Sequence, residues 1–217
     1  MNRNEIRQKA AKIYKADFKN LLLAGLIYAA LNILLATLGQ NYLLSAIANL
    51  FARILRASTA CFFFAAYRNR HSDFEDMYSL FTNPQDLNRV LSILFMMWVI
   101  NMVCYNFIIP ILGALGILFA GILDIALTFS WYLFAANPDY PVGYYIKGLK
   151  YVTAGYVLSC VVMMIVPYII TFALTMFVSP VLAQIVCFPI NIYVSLVIAG
   201  YASELMPSDW YYGGTYL

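Results

Sequence analysis

Two arginines and one aspartate are the residues of this chain whose type and position could do chemistry inside a membrane. Arg53 and Arg56 interrupt the apolar run NLFARILRAST (residues 49–59), and Asp124 lies in the apolar run GILDIALTFSW (residues 121–131). A guanidinium at the middle of a bilayer costs at least about 2.5–3.5 kcal/mol on insertion scales, so it normally faces protein and finds a partner. Such a group can bind an anion, relay protons or hold two helices together.

The expected depths of these residues match. The helix that carries Arg53 begins near Leu43, and the helix that carries Asp124 begins near Ala114, both on the outer side of the membrane. Each charged residue then lies about 15 Å down its helix. We therefore expect Arg53 to pair with Asp124, while Arg56 assists or reaches the inner headgroups. The pair either fixes the register of two helices or forms a polar site, net positive with Arg56, for an anionic group or for protons.

The composition places the chain in a membrane. Apolar residues make up 64% of the 217 residues, and charged residues make up only 11%. Soluble domains contain about 45–50% apolar and about 25% charged residues. The chain therefore has too few polar side chains to coat a soluble globule, and we expect a single integral membrane domain over residues 1–217.

The positioning elements are apolar stretches of the length that a membrane helix needs, about 20 residues. The expected fold class is all-α, a polytopic bundle of six transmembrane helices preceded by an amphipathic interfacial helix. Pro110 and Gly113 interrupt one apolar run that is too long for a single span, and a tight turn is expected at Pro110. The six predicted spans cover residues 21–38, 43–65, 90–109, 111–135, 154–177 and 181–202.

Lysine and arginine fix the expected orientation, because they are retained on the cytoplasmic side. The connections GQNY, IPIL and VSP carry no charge, so they belong on the outer side. Six spans then leave both termini in the cytoplasm. The basic residues that lie together on the inner side include Arg68, Arg70 and Arg89 between spans two and three, and Lys147 and Lys150 between spans four and five.

The first twenty residues predict a basic amphipathic helix. Ile6, Ala10, Ile13 and Tyr14 recur at helical spacing. A helix of this kind is expected to lie on the anionic inner leaflet and to bind its headgroups. The alternative is that it docks a cytoplasmic protein partner. The residues expected to contact the lipid surface are Arg7, Lys9, Lys12, Lys15 and Lys19.

Enzyme chemistry finds little support in the sequence. No HExxH, GxSxG or Walker sequence is present, and no cofactor-binding motif appears, so we expect a protein that is not an enzyme. His71 with Asp73, Glu75 and Asp76 could hold a metal, but these charges more simply form a solvated loop, and no metal is expected. The same loop, with Asp86, carries four acids against three arginines, which argues against nucleic-acid binding.

The layout resembles a known family of bacterial integral membrane proteins. The segments that carry the resemblance are RNEIRQKAAKIYKADFKNLLLAGLI (3–27), FEDMYSLF (74–81) and ALTFSWYLFAANPDYPVGYYIKGLKYVTAGY (126–156). They are similar to the family catalogued as domain of unknown function 975. The resemblance implies a multi-pass architecture in the bacterial cytoplasmic membrane. It supplies no catalytic residue, because the family has no established activity.

Two classes of function are compatible with these features. The first is a non-enzymatic organiser or accessory of a membrane or export process, which would have a membrane protein as partner. The second is a small-molecule transporter subunit, since six spans in about 200 residues resemble the substrate-capture component of energy-coupling-factor transporters. A polar cavity open to the outside and lined by the first, fourth and sixth predicted spans would favour transport. A dry bundle would favour the organiser.

Overall fold

The computed structural model describes residues 3–37, 42–69, 73–138, 142–143, 145, 169–170, 173–174, 176–177 and 180–205. All regular secondary structure in these ranges is helical, which confirms the all-α class. The longer helices, numbered in chain order, are α1 (Arg3–Ala16), α2 (Phe18–Thr37), α3 (Tyr42–Asn69), α4 (Phe74–Thr82), α5 (Pro84–Val103), α6 (Ile109–Leu112), α7 (Ala114–Ala136) and α8 (Pro180–Leu205); a π-helical turn, Cys104–Ile108, joins α5 to α6.

Three helical segments in the described part are long and apolar enough to cross a membrane. They are Ile47–Asn69, Pro84–Leu112 and Val186–Ser203. Segments of this kind indicate a multi-pass membrane protein. The predicted span 154–177 lies almost wholly outside the described residues, so the number six stays a prediction.

The prediction of a turn at Pro110 is wrong. The helical run that begins at Pro84 continues through Pro110 and ends at Gly113, whose φ of 56° lies in the left-handed region. Glycine has no Cβ and adopts this conformation without the steric cost that other residues meet. α7 then begins at Ala114, so the chain reverses three residues later than expected.

The π-helical turn explains why Pro110 does not end the helix. Proline has no N–H to donate, and its ring clashes with the carbonyl four residues earlier in a regular α-helix. In the turn Cys104–Ile108, the N–H of Ile109 bonds to the carbonyl of Cys104, five residues earlier. Because this wider turn shifts the carbonyls that precede the proline, the helix continues.

A tight hairpin follows at Gly113. A Cβ built on Gly116 would lie 2.7 Å from the Cα of Ile109 and 2.8 Å from the carbonyl oxygen of Ile108. Both are backbone atoms, which cannot swing aside as a flexible side chain can. Only glycine lets the two backbones approach this closely, as small residues do at other membrane helix interfaces.

The segment after α3 is not simply the solvated loop that we expected, because it contains the amphipathic helix α4. Met77 and Leu80 of α4 are each 2% exposed, and the helix packs on α3. The hydroxyl of Ser58 in α3 donates a hydrogen bond to the carbonyl oxygen of Met77. The acids Asp73 and Glu75 do lie on the exposed side, as expected.

The N-terminal helix α1 is amphipathic, as predicted, but its apolar face packs on the protein instead of lying in lipid. Ile6, Ala10 and Ile13 are buried, and α1 contacts α8. A Cβ on Gly200 of α8 would lie 2.6 Å from the Cγ2 of Ile6. We therefore expect α1 to contact the membrane only through its charged residues.

Buried side chains concentrate at one end of the bundle, which we call the base. It comprises α1, residues 57–69 of α3, α4, residues 84–94 of α5, residues 127–136 of α7 and residues 192–202 of α8. Three other stretches of the described bundle, residues 23–34, 44–51 and 95–119, form an apolar shell. Large apolar side chains are exposed there, among them Phe95 (65%), Phe107 (63%), Ile111 (76%) and Leu115 (69%).

Candidate functional site

A cavity of about 340 Å³ opens in the base where α3, α4, α5 and α7 meet. Its lining includes the almost fully buried residues Phe64, Leu80 and Phe134 and the acidic residues Asp76 and Asp86. Pockets of this size hold small molecules in many proteins when a few polar groups converge on an apolar wall. The remaining described lining residues are Cys61, Ala65, Arg68, Asn69, Ala135 and Pro138.

The aromatic wall of the cavity is held in place by a residue outside it. Phe134 and Tyr145 form an edge-to-face contact, with ring centroids 6.0 Å apart. Tyr145 is fully buried, and its hydroxyl donates a hydrogen bond of 2.8 Å to the carbonyl oxygen of Asn137. The bond ties Tyr145 to the end of α7, which keeps the Phe134 ring fixed.

Asp86 is positioned by the N-terminal cap of α5. Asn83 is the cap residue, and its Oδ1 accepts a hydrogen bond from the backbone N–H of Gln85 at 3.1 Å. The Nδ2 of Asn83 donates to the Oδ2 of Asp86 at 2.8 Å, and Nη1 of Arg89 lies 3.4 Å from the other carboxylate oxygen. Capping and the acidic residue in the first turn stabilise the helix start, and they hold the Asp86 carboxylate at the cavity.

Asp76 is in a different electrostatic setting. Burial raises the pKa of its carboxyl above 3.8, and the negative charges of Asp73 and Glu75 raise it further. All three acids lie at the start of α4, where Glu75 and Asp76 are in the first turn. These effects disfavour the ionised form of the Asp76 carboxyl.

The predicted pair of Arg53 and Asp124 lies on helices that do touch. α3 and α7 pack along each other, which is a condition for the pair. The side chains of Arg53 and Arg56 are exposed on the described part of the bundle, and the side chain of Asp124 lies outside the described part. The pairing therefore stays a prediction.

The predicted lipid-contacting residues of α1 fall into two groups. Arg7 and Lys9 are half-buried, and the Nζ of Lys9 lies 4.2 Å from the centroid of the Tyr67 ring. This is within range of a cation–π interaction. Lys12, Lys15 and Lys19 are exposed, so they are the residues able to reach headgroups.

The other candidate ligands do not assemble into a metal site in the described part of the chain. His71 lies outside the described residues, and no group of three His, Cys, Asp or Glu residues with metal-binding geometry occurs among those described. Cys61, Cys104 and Cys187 are free thiols that are buried or half-buried, and Cys160 lies outside the described residues.

The sequence did not reveal the cavity, because its lining comes from four separate segments. Two local signals were present. The sequence TNPQD at residues 82–86 has an asparagine before a proline, which is a helix start signal that places Asp86 in the first turn. The segment FEDMYSLF places Phe74, Met77 and Leu80 at helical spacing, which predicts an apolar face that packs on the protein.

A scan of the chain against protein-family models, a search of curated proteins and a search of solved structures each found no match. The resemblance to the domain of unknown function 975 family therefore stays a prediction from its sequence segments.

Proposed function

We propose that this chain is a six-span protein of the bacterial cytoplasmic membrane, with both termini in the cytoplasm, that serves as a non-enzymatic organiser or accessory of a membrane or export process. The observation that carries the proposal is the packed base. It lies at the end of the bundle that bears the basic residues of α1 and Arg68, the end retained on the inner side.

Helix contacts support the view that the base extends beyond the lipid. Gly25 of α2 lies against Ile192 of α8, and Gly200 of α8 lies against Ile6 and Tyr67. If the hydrocarbon begins near Leu21, Ile192 is about 6 Å inside it, at 1.5 Å per residue. Gly200 is about 12 Å further along α8, so it lies about 6 Å beneath the hydrocarbon. α1 and the end of α3 are at the same level.

A packed base beneath the lipid suits an organiser better than a transporter subunit. A transporter subunit that captures substrate from outside needs a polar cavity on the outer side. One polar cavity of the described bundle is lined by α3, α4, α5 and α7 at the basic end, and its lining includes the exposed Arg68 and Asn69. This location supports a role on the cytoplasmic side.

The exposed lysines complete the proposal. Because the apolar face of α1 is buried against α8, Lys12, Lys15 and Lys19 would contact anionic headgroups through charge alone. Basic residues near a membrane surface each contribute about 1 kcal/mol to such binding. The base would then be held against the inner leaflet, where it could meet a membrane protein partner.

Cysteine labelling in whole cells tests the orientation. In a background without native cysteines, Gln40→Cys should react with an impermeant maleimide in intact cells, whereas Asn69→Cys and Gln85→Cys should react only after permeabilisation. Labelling of all three positions from the same side would contradict the topology.

Photo-crosslinking tests the organiser role. A photo-reactive amino acid at Tyr78, which is 50% exposed on α4, should give a discrete protein adduct in cells. The same amino acid at Ile111, which is 76% exposed in the apolar shell, is the matched control and should give lipid adducts. Absence of a protein adduct at Tyr78 and at Lys12 would count against the organiser.

A further inference from the structure

A side-chain amide is exposed in the apolar shell. Asn106 lies in the π-helical turn that joins α5 to α6, and the side chain is exposed. Its Nδ2 donates a hydrogen bond of 2.8 Å to the carbonyl oxygen of Met102, one turn earlier, and lies 3.6 Å from the sulfur of the same residue. Among the described residues, none donates a hydrogen bond to its Oδ1. The amide is therefore fixed at its nitrogen, while its oxygen is open.

The position of Asn106 along the helix places this amide in the hydrocarbon. The helical run from the end of the base at residue 94 to the turn at Gly113 is about 28 Å long. This length matches the hydrocarbon thickness of a bilayer, about 30 Å. Asn106 precedes Gly113 by seven residues, so it lies about 10 Å from the nearer boundary. Water does not reach the Oδ1 at that depth, and a polar group without a partner in lipid is costly.

Tyr105 adds a second polar group at the same place. Its side chain is 66% exposed, and its hydroxyl forms no hydrogen bond with any residue that the structure describes. Side chains on a helix tilt towards the helix N-terminus, which here lies in the base. The hydroxyl is therefore carried away from the nearer membrane boundary, where tyrosines usually lie. It too needs a polar partner within the hydrocarbon.

A second copy of this chain offers the complementary groups. Copies inserted in the same direction carry Asn106 at the same depth, so a twofold axis along the membrane normal brings the two amides face to face. An amide both donates and accepts hydrogen bonds. The second N–H of each Nδ2 would bond to the Oδ1 of the other copy, which satisfies both. Lipid tails offer neither a donor nor an acceptor, and side-chain amides hydrogen-bond across helices in other membrane proteins.

We propose that this chain forms a twofold dimer in the membrane through the face of the π-helical turn, with the Asn106 amides of the two copies paired and with Tyr105 and Met102 beside them. The dimer goes beyond the organiser role and does not depend on which side of the membrane holds the termini. Membrane helices cross at about 20–40°, so the two copies diverge away from the contact. Trp98, about 12 Å along the helix from Asn106, keeps its exposure to lipid.

Energy transfer between labelled copies of the full chain tests the dimer. In a background without native cysteines, Gln85→Cys carries a donor or an acceptor dye at an exposed position, and the protein is reconstituted in phosphatidylcholine vesicles. Transfer should exceed the level of random proximity and should fall on dilution with lipid as a monomer–dimer equilibrium does. Transfer at the random level at every protein-to-lipid ratio would overturn the proposal, and Asn106 would then be satisfied within its own chain.

Two variants that remove the same group from one helix locate the contact. Asn106→Leu keeps the size of the side chain and should weaken the dimer about five- to thirtyfold, the range for a hydrogen bond between membrane helices. Asn101→Leu removes an amide from a half-buried position five residues earlier, on another face of the helix, and should weaken it less than about twofold. Equal weakening by the two variants would refute a contact centred on Asn106.

Disulfide crosslinking tests the same face with the amide retained, which keeps the test decisive if Asn106→Leu does not fold. Met102→Cys lies one turn from Asn106 on the same face, and oxidation by copper–phenanthroline in membranes should give a covalent dimer. Phe119→Cys, 48% exposed on the other arm of the hairpin, is the control and should give little. A dimer that forms through Phe119→Cys and not through Met102→Cys would place the contact elsewhere and overturn the proposal.

Discussion

The base and the apolar shell bury their side chains in different ways. In the base, apolar residues such as Phe129 and Val197 are 0% exposed and pack against other protein residues. In the shell, residues of the same type are exposed, as Phe107 is at 63%. A similar apolar composition thus serves protein packing at one end and contact with lipid at the other.

The comparison teaches that apolar length alone does not show how much of a helix lies in the membrane. α8 is apolar over Val186–Ser203. Its part near Gly200 packs on α1 and Tyr67, at the level that we place beneath the hydrocarbon. Burial in protein and burial in lipid both remove apolar surface from water, so a hydropathy pattern cannot separate them.

Truncation of a phenylalanine should have the largest effect, and only in the base. Phe129→Ala leaves a cavity in packed protein and should lower the free energy of unfolding by about 3–5 kcal/mol. Phe107→Ala is the matched control in the shell, where detergent or lipid fills the space. Reversible unfolding in mixed micelles measures both, and equal losses would remove the distinction between the two regions.

Crowding at a glycine should have the next largest effect. A methyl group on Gly200 would meet Ile6 and the ring of Tyr67 at 2.6–2.8 Å, so Gly200→Ala should cost about 1–3 kcal/mol by overpacking. Gly143→Ala is the control, because nothing lies within 4 Å of its Cβ position. A stable Gly200→Ala variant, by thermal melting, would show that α1 docks loosely.

The predicted pair of Arg53 and Asp124 tests a polar interaction outside the base. Arg53 is exposed on the described bundle. If it contacts Asp124, the interaction free energy of the two residues should be about 0.5–3 kcal/mol, the range for residues in contact. Arg53→Met and Asp124→Leu should each lower the stability, and the double variant should recover much of the loss. Additive losses in this double-mutant cycle would mean that the two residues do not interact.

The lysines of α1 should have the smallest effect. Wild-type protein should melt at a higher temperature in anionic than in zwitterionic nanodiscs, and Lys12→Glu, Lys15→Glu and Lys19→Glu together should remove this difference, at about 1 kcal/mol per residue or less. High salt should reduce it as well, because exposed charges are screened. A difference that persists in high salt would mean that α1 does not contact the headgroups through charge alone.

Much of the fold could be predicted from the sequence, because lipid imposes a length on apolar helices. The predicted span 43–65 falls within α3, and the span 181–202 falls within α8. Pro110 misled the prediction, since a proline usually ends a helix and the π-helical turn before it cannot be read from composition. Gly113, three residues later, was the stronger signal for a turn, because glycine alone adopts a positive φ readily.

The candidate site was less accessible to prediction. Asp76 and Asp86 were recognised only as charges of a solvated loop, because their position at a cavity depends on Phe134, about fifty residues away in the chain. Local spacing shows which face of α4 is apolar. It does not show which distant helix covers that face, and so it cannot locate a cavity between the two.

Quenching of single tryptophans by brominated lipids tests the central distinction most directly. Trp98 of the shell is 53% exposed, and Trp131 of the base is 5% exposed. Variants that keep one of the two, with the other tryptophans changed to phenylalanine, should differ clearly in bilayers of brominated phospholipid. We predict strong quenching of Trp98 and little quenching of Trp131. Equal quenching of the two would contradict a base that is packed apart from the lipid.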